Sequence, residues 1–306
     1  MRRRKGRQSQ RSELCLGRNC PLPLPSDPMQ FNVPSFPEAY CAVACATPPC
    51  PEMGGIMTLQ DKHAFITGGG TGIGLAIAQN LAAKGARVTI TGRRQEVLDA
   101  VSGNGITGMA MDVREEAQVI DTIARAVEAN GPVQICIANA GVAEGRSLHK
   151  TDLDFWRDMM ATNLDGAFLT IRESLKSMRQ TDWGRVIAVS SIAGLRGLPG
   201  AACYSASKHG MIGLIRSLSE DYMGQPFTFN ALCPGYVDTD IIARNTQAIS
   251  QRAGLSEDKA RDVMVNANRH KRLIAPSEVA AAAAWLVGEG SESVNGQSIE
   301  IAGGQM

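Results

Sequence analysis

The stretch KHAFITGGGTGIGLAIAQNLAAKG, residues 62–85, decides the fold. Its first six residues are an apolar run of strand length, and its last eleven place Leu, Ile and Ala at helical spacing. Between them Gly68, Gly72 and Gly74 punctuate a turn that also holds Thr71 and Ile73. Glycine lacks a Cβ, so the turn can be tight and another group can come against its backbone. A helix opening straight after it presents unpaired N–H groups, which favour an anion such as a pyrophosphate. A glycine-rich turn alone says little. One set between an apolar strand and an amphipathic helix predicts a dinucleotide-binding βα unit.

Outward from that unit the alternation continues. RVTITGRR (87–94), GITGMAMDV (105–113), PVQICIANAG (132–141), WGRVIAVSS (183–191), TFNALCPGYVDTD (228–240) and QSIEIAGG (297–304) each predict a strand with its exit. FWRDMMATNLDGAFLTI (155–171) predicts one long helix with Asn163 inside it, and PSEVAAAAAWLV (276–287) predicts another. Strands apolar along their whole length belong in a parallel sheet covered on both faces. The expected fold is therefore α/β: a doubly wound, Rossmann-like parallel sheet of seven strands in a single domain, residues 57–306. Ligand should sit at the carboxyl ends of the strands.

The run SSIAGLRGLPGAACYSASK (190–208) carries the chemistry. Tyr204 and Lys208 are four residues apart and share one face of a helix. A free phenol titrates near ~10, too high for general acid–base work at neutral pH. A neighbouring ammonium favours the phenolate and brings it towards the working range. Ser191 precedes the helix and can hold a substrate oxygen against the same phenol. Taken alone, a Tyr-x-x-x-Lys pair is equally the mark of a core tyrosine and a solvated lysine.

Together with the glycine turn, these residues resemble the short-chain dehydrogenase/reductase family, over about Met57 to the C-terminus. The resemblance implies a catalytic tetrad of Asn163, Ser191, Tyr204 and Lys208, with Ser190 the lesser candidate of the serine pair. Ser191 stands thirteen residues before Tyr204, the usual family spacing. Thr67 with Gly68, Gly72 and Gly74 matches the family's T-G-x-x-x-G-x-G, a cofactor cradle that includes Thr71 and Ile73. Asp112-Val113 matches the pair beside the adenine, although an Asp there could equally cap the helix starting near Glu115. Asn139-Ala140-Gly141 resembles the segment that lies along the cofactor. Pro234-Gly235 with Val237 and Thr239 resembles the segment that meets the nicotinamide. Tyr204 and Lys208 touch the cofactor as well, Lys208 through the nicotinamide ribose, and Asn163 holds a relay water.

The activity so implied is interconversion of a ketone and a secondary alcohol by a nicotinamide-dependent enzyme. Residues 234–304 resemble the part of the family that reduces 3-oxoacyl thioesters of CoA or a carrier protein. A D-3-hydroxybutyrate or alicyclic alcohol dehydrogenase is the competing enzyme reading, and a non-catalytic dinucleotide sensor the competing class. The resemblance also implies a homotetramer. Met211, Leu214, Ile215 and Leu218 form a stripe that is core or subunit interface.

Two charge patterns refine this expectation. NAD-preferring dinucleotide folds place an acidic residue at the end of the second strand. Here that position is Gly92, followed by Arg93 and Arg94. Two guanidiniums could bind a 2′-phosphate, so NADP(H) is preferred over NAD(H); the bland reading is two solvated loop arginines. Residues 241–273 read as a polar, largely helical insertion of substrate-lid size. It carries Arg244, Arg252, Lys259, Arg261, Arg269, Lys271 and Arg272, which could meet thioester phosphates or merely solvate a helix face.

Composition sets the bounds. Of 306 residues 44% are hydrophobic, and the net charge is +1, which suggests no nucleic-acid partner. No apolar run is long enough to span a bilayer. Five of the eight cysteines (Cys15, Cys20, Cys41, Cys45, Cys50) lie before residue 51, and Cys136, Cys203 and Cys233 are scattered. That usage suggests a reducing, cytoplasmic setting, and no metal site is expected. Residues 1–56 hold a basic run and proline-broken segments, and read as a disordered extension or an over-long gene start before Met57.

Overall fold

Apolar runs become strands where helices can cover both faces. The computed structural model describes residues 58–304; the expectations for residues 1–56, including their five cysteines, and for Met57 as a start lie outside them. Strands β1 (His63–Thr67), β2 (Arg87–Gly92), β3 (Ile106–Ala110), β4 (Val133–Ala138), β5 (Gly184–Val189), β6 (Phe227–Pro234) and β7 (Ser298–Ile301) all pair in parallel. Their order is β3-β2-β1-β4-β5-β6-β7, the seven-stranded doubly wound sheet that was expected. The winding reverses between β1 and β4, and the crevice at that switch is where such sheets take ligands.

The helices are α1 (Gly72–Ala83), α2 (Gln95–Asp99), α3 (Glu116–Asn130), α4 (Leu153–Met160), α5 (Gly166–Met178), α6 (Ala202–Asp221), α7 (Asp240–Ala253), α8 (Glu257–Ala267) and α9 (Pro276–Leu286). Successive strand side chains face opposite ways, and two cores result. Ile66, Ile137, Ile187 and Leu232 pack with Ile77 and Leu81 of α1 and Val279 and Ala283 of α9. Phe65, Cys136, Val186 and Phe229 pack with Ile123 of α3, Leu175 of α5 and Met211 and Ile215 of α6. Leu214 and Leu218 lie partly buried against the second core, so the stripe on α6 turns inward.

The long helix expected over 155–171 forms with Asn163 inside it: α4 runs through a wide π turn at Ala161–Asp165 directly into α5. Close contacts stand on both sides of that turn. Asn163 is drawn fully inside to bond the chain at Val142. Gly166 passes so close to Val113 that a Cβ there would meet its Cγ2 at 2.7 Å.

β1 also holds a surprise for an apolar strand. His63 is completely buried. Its Nδ1 lies 2.7 Å from the Gly131 carbonyl and its Nε2 lies 2.9 Å from Thr89 Oγ1. Burial pushes its pKa down to about 4, so the ring is neutral.

Candidate active site

The glycine turn is built by contacts that tolerate no side chain. A Cβ on Gly74 would meet the Gly68 carbonyl oxygen at 2.3 Å and Asn139 Nδ2 at 2.5 Å. Gly68 and Gly72 adopt φ of +65° and +55°, the left-handed region that glycine enters without strain. The turn is stitched to β4 across the switch point. Asn139 Nδ2 donates to the carbonyls of Thr67 (2.9 Å) and Gly68 (3.1 Å). Thr67 Oγ1 accepts from the backbone N–H groups of Asn139 and Ala140, both at 3.0 Å. Sequence pattern flagged Thr67 only as the lead of the glycine motif; its hydroxyl joins two strands.

At the carboxyl ends of β1 and β4–β6 opens a cavity of about 380 Å³. Its lining includes Gly68, Thr71, Gly72 and Ile73 from the turn, Asn139, Ala140 and Gly141 after β4, and Pro234, Gly235, Val237 and Thr239 after β6. Ser191, Tyr204 and Lys208 line it as well. Four segments far apart in sequence thus converge on one space. The residues present fit a dinucleotide, with a glycine cradle at a helix N-terminus leading into a chamber lined by a phenol, a hydroxyl and an ammonium.

Each polar group has a definite setting. Lys208 is buried, and its Nζ donates to the Val189 carbonyl at 2.8 Å. That Nζ stands 5.8 Å from the centre of the Tyr204 ring. Burial lowers the lysine pKa to about 8. The tyrosine departs from the simple expectation: burial pushes its pKa up, and a hydrogen bond with Ser191 opposes that only in part. Removing water from around a phenolate outweighs the hydrogen bond that would favour it. The phenol therefore keeps its proton at neutral pH. Ser190 commits its hydroxyl to the Lys208 carbonyl (3.1 Å), whereas Ser191 Oγ accepts from Ala193 N–H (3.1 Å) and faces the cavity.

Asn163 does not reach the cavity surface. Its Oδ1 accepts from Val142 N–H (2.8 Å), and its Nδ2 donates to the Val142 carbonyl (3.0 Å) and to Ser207 Oγ (3.0 Å). Both amide donors are spent, and the side chain ties the segment after β4 to α6. Gly141 permits this closeness, since a Cβ there would lie 3.2 Å from Asn163 Oδ1.

Arg93 and Arg94 are exposed at the end of β2, outside the cavity itself. Asp112 is neither a cap nor free: it accepts from Arg114 Nε at 3.1 Å and from its NH2 at 2.6 Å. That guanidinium holds the Asp112 carboxyl below its ordinary range, with a smaller push from Arg93. Val113 is core rather than surface.

Among the seven cations of the insertion, Arg244 lines the cavity mouth. Arg261 pairs with Asp238 at 3.6 Å, and Arg272 pairs with Glu278 at 2.6 Å, so these two are occupied. Lys271 Nζ donates to the Asn266 carbonyl. The side chain of Arg252 lies outside the described residues. Sequence reasoning missed the other side of the chamber, formed by Val142, Glu144, Leu198, Tyr236, Asn245 and Met264. These come from loops and helices with no shared period, so no pattern marks them. Among the described residues no cluster of His, Cys, Asp or Glu is placed to hold a metal, and no helix is long and apolar enough to cross a membrane.

Comparison with known proteins agrees with this geometry. The family model described as short chain dehydrogenase matches residues 62–250. A Streptomyces coelicolor protein carrying the name of a ketoacyl reductase is 34% identical over 257 residues, 81% of this chain and 98% of its own. A D-beta-hydroxybutyrate dehydrogenase of Rhizobium meliloti is 30% identical, covering 79% of this chain and 98% of its own. Among solved structures, a variant actinorhodin polyketide ketoreductase with NADPH superposes with a TM-score of 0.78 at 34% identity, over 81% of this chain and 98% of its own.

Proposed function

The chain belongs to the short-chain dehydrogenase family, and from that premise we propose that it is an NADP(H)-dependent ketone reductase acting on a 3-oxoacyl thioester of CoA or a carrier protein. One observation carries the reading: Ser191, Tyr204 and Lys208 meet in the cavity that the glycine cradle opens into. Bound NADPH supplies the hydride that a carbonyl carbon accepts; the protein supplies orientation and the proton.

Ser191 donates a hydrogen bond to the carbonyl oxygen and holds it against Tyr204. The Tyr204 hydroxyl gives that oxygen its proton as the alcohol forms. Burial keeps the phenol protonated beforehand, so the donor is loaded at neutral pH. The Lys208 ammonium then lowers the cost of the phenolate left behind, and it bonds the nicotinamide ribose. The Asn163 side chain braces the 141–142 segment against α6. Gly68, Thr71, Gly72, Ile73 and Gly74 cradle the pyrophosphate, Asn139–Gly141 run along the cofactor, and Pro234, Gly235, Val237 and Thr239 meet the nicotinamide.

Preference for NADP(H) rests on charge. Arg93 and Arg94 stand exposed beyond Gly92, and Arg114 neutralises Asp112 beside them. The adenosine end thus offers two exposed guanidiniums to a 2′-phosphate, with the Asp112 carboxylate already paired. The thioester reading is supported by the ketoacyl reductase relative and by Arg244 at the cavity mouth. The relative named D-beta-hydroxybutyrate dehydrogenase favours a second reading, oxidation of a small hydroxy acid. A homotetramer in the cytoplasm completes the proposal. Leu153 and Phe168 are large apolar residues left exposed on α4 and α5, and Cys136, Cys203 and Cys233 are free thiols.

The test is NADPH consumption with acetoacetyl-CoA, a small 3-oxo ester and an alicyclic ketone, beside NAD reduction with D-3-hydroxybutyrate. Fastest turnover is expected with the thioester. Turnover confined to hydroxybutyrate moves the second reading ahead, and nucleotide binding without any turnover leaves a sensor.

A further inference from the structure

The chain leaves α8 through Asn268, a fully buried asparagine in a polar, charged stretch. Its side-chain amide is wholly committed. Oδ1 accepts from the backbone N–H of Tyr236 at 3.0 Å, and Nδ2 donates to the Tyr236 carbonyl at 2.9 Å. Nδ2 also donates to the Arg272 carbonyl at 2.7 Å. A side-chain amide has the same donor and acceptor as a peptide group. Asn268 therefore pairs with Tyr236 as a neighbouring strand would, beyond the point where β6 stops.

Around this pair the connection is tight. The Tyr236 carbonyl also accepts from Ile274 N–H, and Asp238 N–H donates to the Ile274 carbonyl, both at 2.9 Å. Gly235 donates to the Ile301 carbonyl at 2.9 Å. A Cβ on Gly235 would meet Asn268 Oδ1 at 2.5 Å, so the asparagine occupies the space that a side chain at 235 would need. Pro234, Gly235, Tyr236 and Val237 line the cavity together with Gly141 and Lys208, while Asn268 bonds Tyr236 without being part of the lining.

We propose that Asn268 is a positioning residue: it clamps the backbone of Tyr236 and thereby sets the wall of the cavity formed by Pro234–Val237. This rests on the reading above, in which that wall meets the nicotinamide half of the cofactor. Removing the amide leaves a buried N–H without its acceptor and frees a short segment next to the reacting end. The adenosine half, held at β1–β3, is untouched.

Two ligands separate positioning from general loss of structure. NADPH spans both halves of the site; adenosine 2′,5′-bisphosphate reaches only the adenosine half. In the full chain, Asn268→Ala should weaken NADPH about five- to tenfold, the scale of one or two hydrogen bonds, with bisphosphate affinity changed less than twofold. Turnover at saturating NADPH should fall about tenfold or more, with little change in KM for the ketone. Asn268→Ser keeps a small neutral hydroxyl that can accept from Tyr236 N–H, so it should fall between wild type and Ala; it carries the test where Ala folds poorly. Parallel weakening of both ligands, or unchanged NADPH binding, overturns the proposal. Hydrogen exchange judges it without any nucleotide: peptides covering 235–239 and 271–275 should lose protection together in the variants, while β4 stays protected. Should wild type bind no NADPH, the proposed function falls instead. Unchanged protection at 235–239 then still sinks the clamp.

Discussion

Replacing Lys208 with methionine should make the nucleotide-free protein more stable while abolishing its activity. Lys208 is only 4% exposed, yet it carries an ammonium whose hydrogen bond is to the Val189 carbonyl. Burial moves its pKa from 10.5 to about 8. At about 1.4 kcal/mol per pH unit, holding that charge inside costs about 3 kcal/mol at neutral pH. Methionine has similar length and no charge. The Val189 carbonyl loses its donor, a cost of about 1 kcal/mol. The net gain is then about 2 kcal/mol, or about 4–8 °C in Tm for a domain of this size. The sign with pH follows from the order of the two pKa values. The folded value lies below the unfolded one, so between about pH 8 and 10.5 the unfolded chain binds the extra proton. Wild-type stability therefore gains with pH across that window, and the advantage of the variant should shrink. Thermal melts of both proteins, free of nucleotide, from pH 7 to 10.5 give the measurement, with NADPH-dependent ketone reduction assayed alongside. A variant that melts at or below wild type at pH 7, or a difference constant across the window, refutes the reasoning.

Further outcomes are expected. Tyr204→Phe keeps the ring in place and removes the proton, so kcat should drop at least ~100-fold with NADPH affinity nearly unchanged; near-native turnover would remove Tyr204 from the proton donor's role. Arg93→Ala with Arg94→Ala should weaken NADPH about ten- to a hundredfold and leave NADH almost alone, which paired titrations of the two cofactors decide. Arg244→Ala should raise KM for acetoacetyl-CoA several-fold but not for a small 3-oxo ester, and added salt should mimic it. Buried His63 titrates near 4 when folded against 6.5 when unfolded. Stability should therefore fall as pH drops from about 6.5 towards 4, by up to about 3 kcal/mol, and His63→Gln should flatten that acid limb in melting experiments.

Local chemistry was legible in the chain itself. The glycine turn, the apolar strands and the spacing of Tyr204 and Lys208 on one helix are short-range features, and a residue's neighbours in sequence decide them. For that reason the α/β reading and the seven strands could be expected from the primary structure, and the family resemblance added one side of the cavity. Distance in the fold decided the rest. Whether Lys208 or desolvation governs Tyr204 depends on how much water the packed loops exclude, and no spacing encodes that. Asn163 became a brace because a π turn draws it against Val142, a residue twenty-one positions away. The insertion's cations had the same standing in sequence, but carboxylates from other segments occupy Arg261 and Arg272 and leave Arg244 at the mouth. Asn268 carried no motif at all. Its role arises only because the chain brings its amide, thirty-two residues on, beside the backbone of Tyr236, where a buried N–H and C=O require a partner.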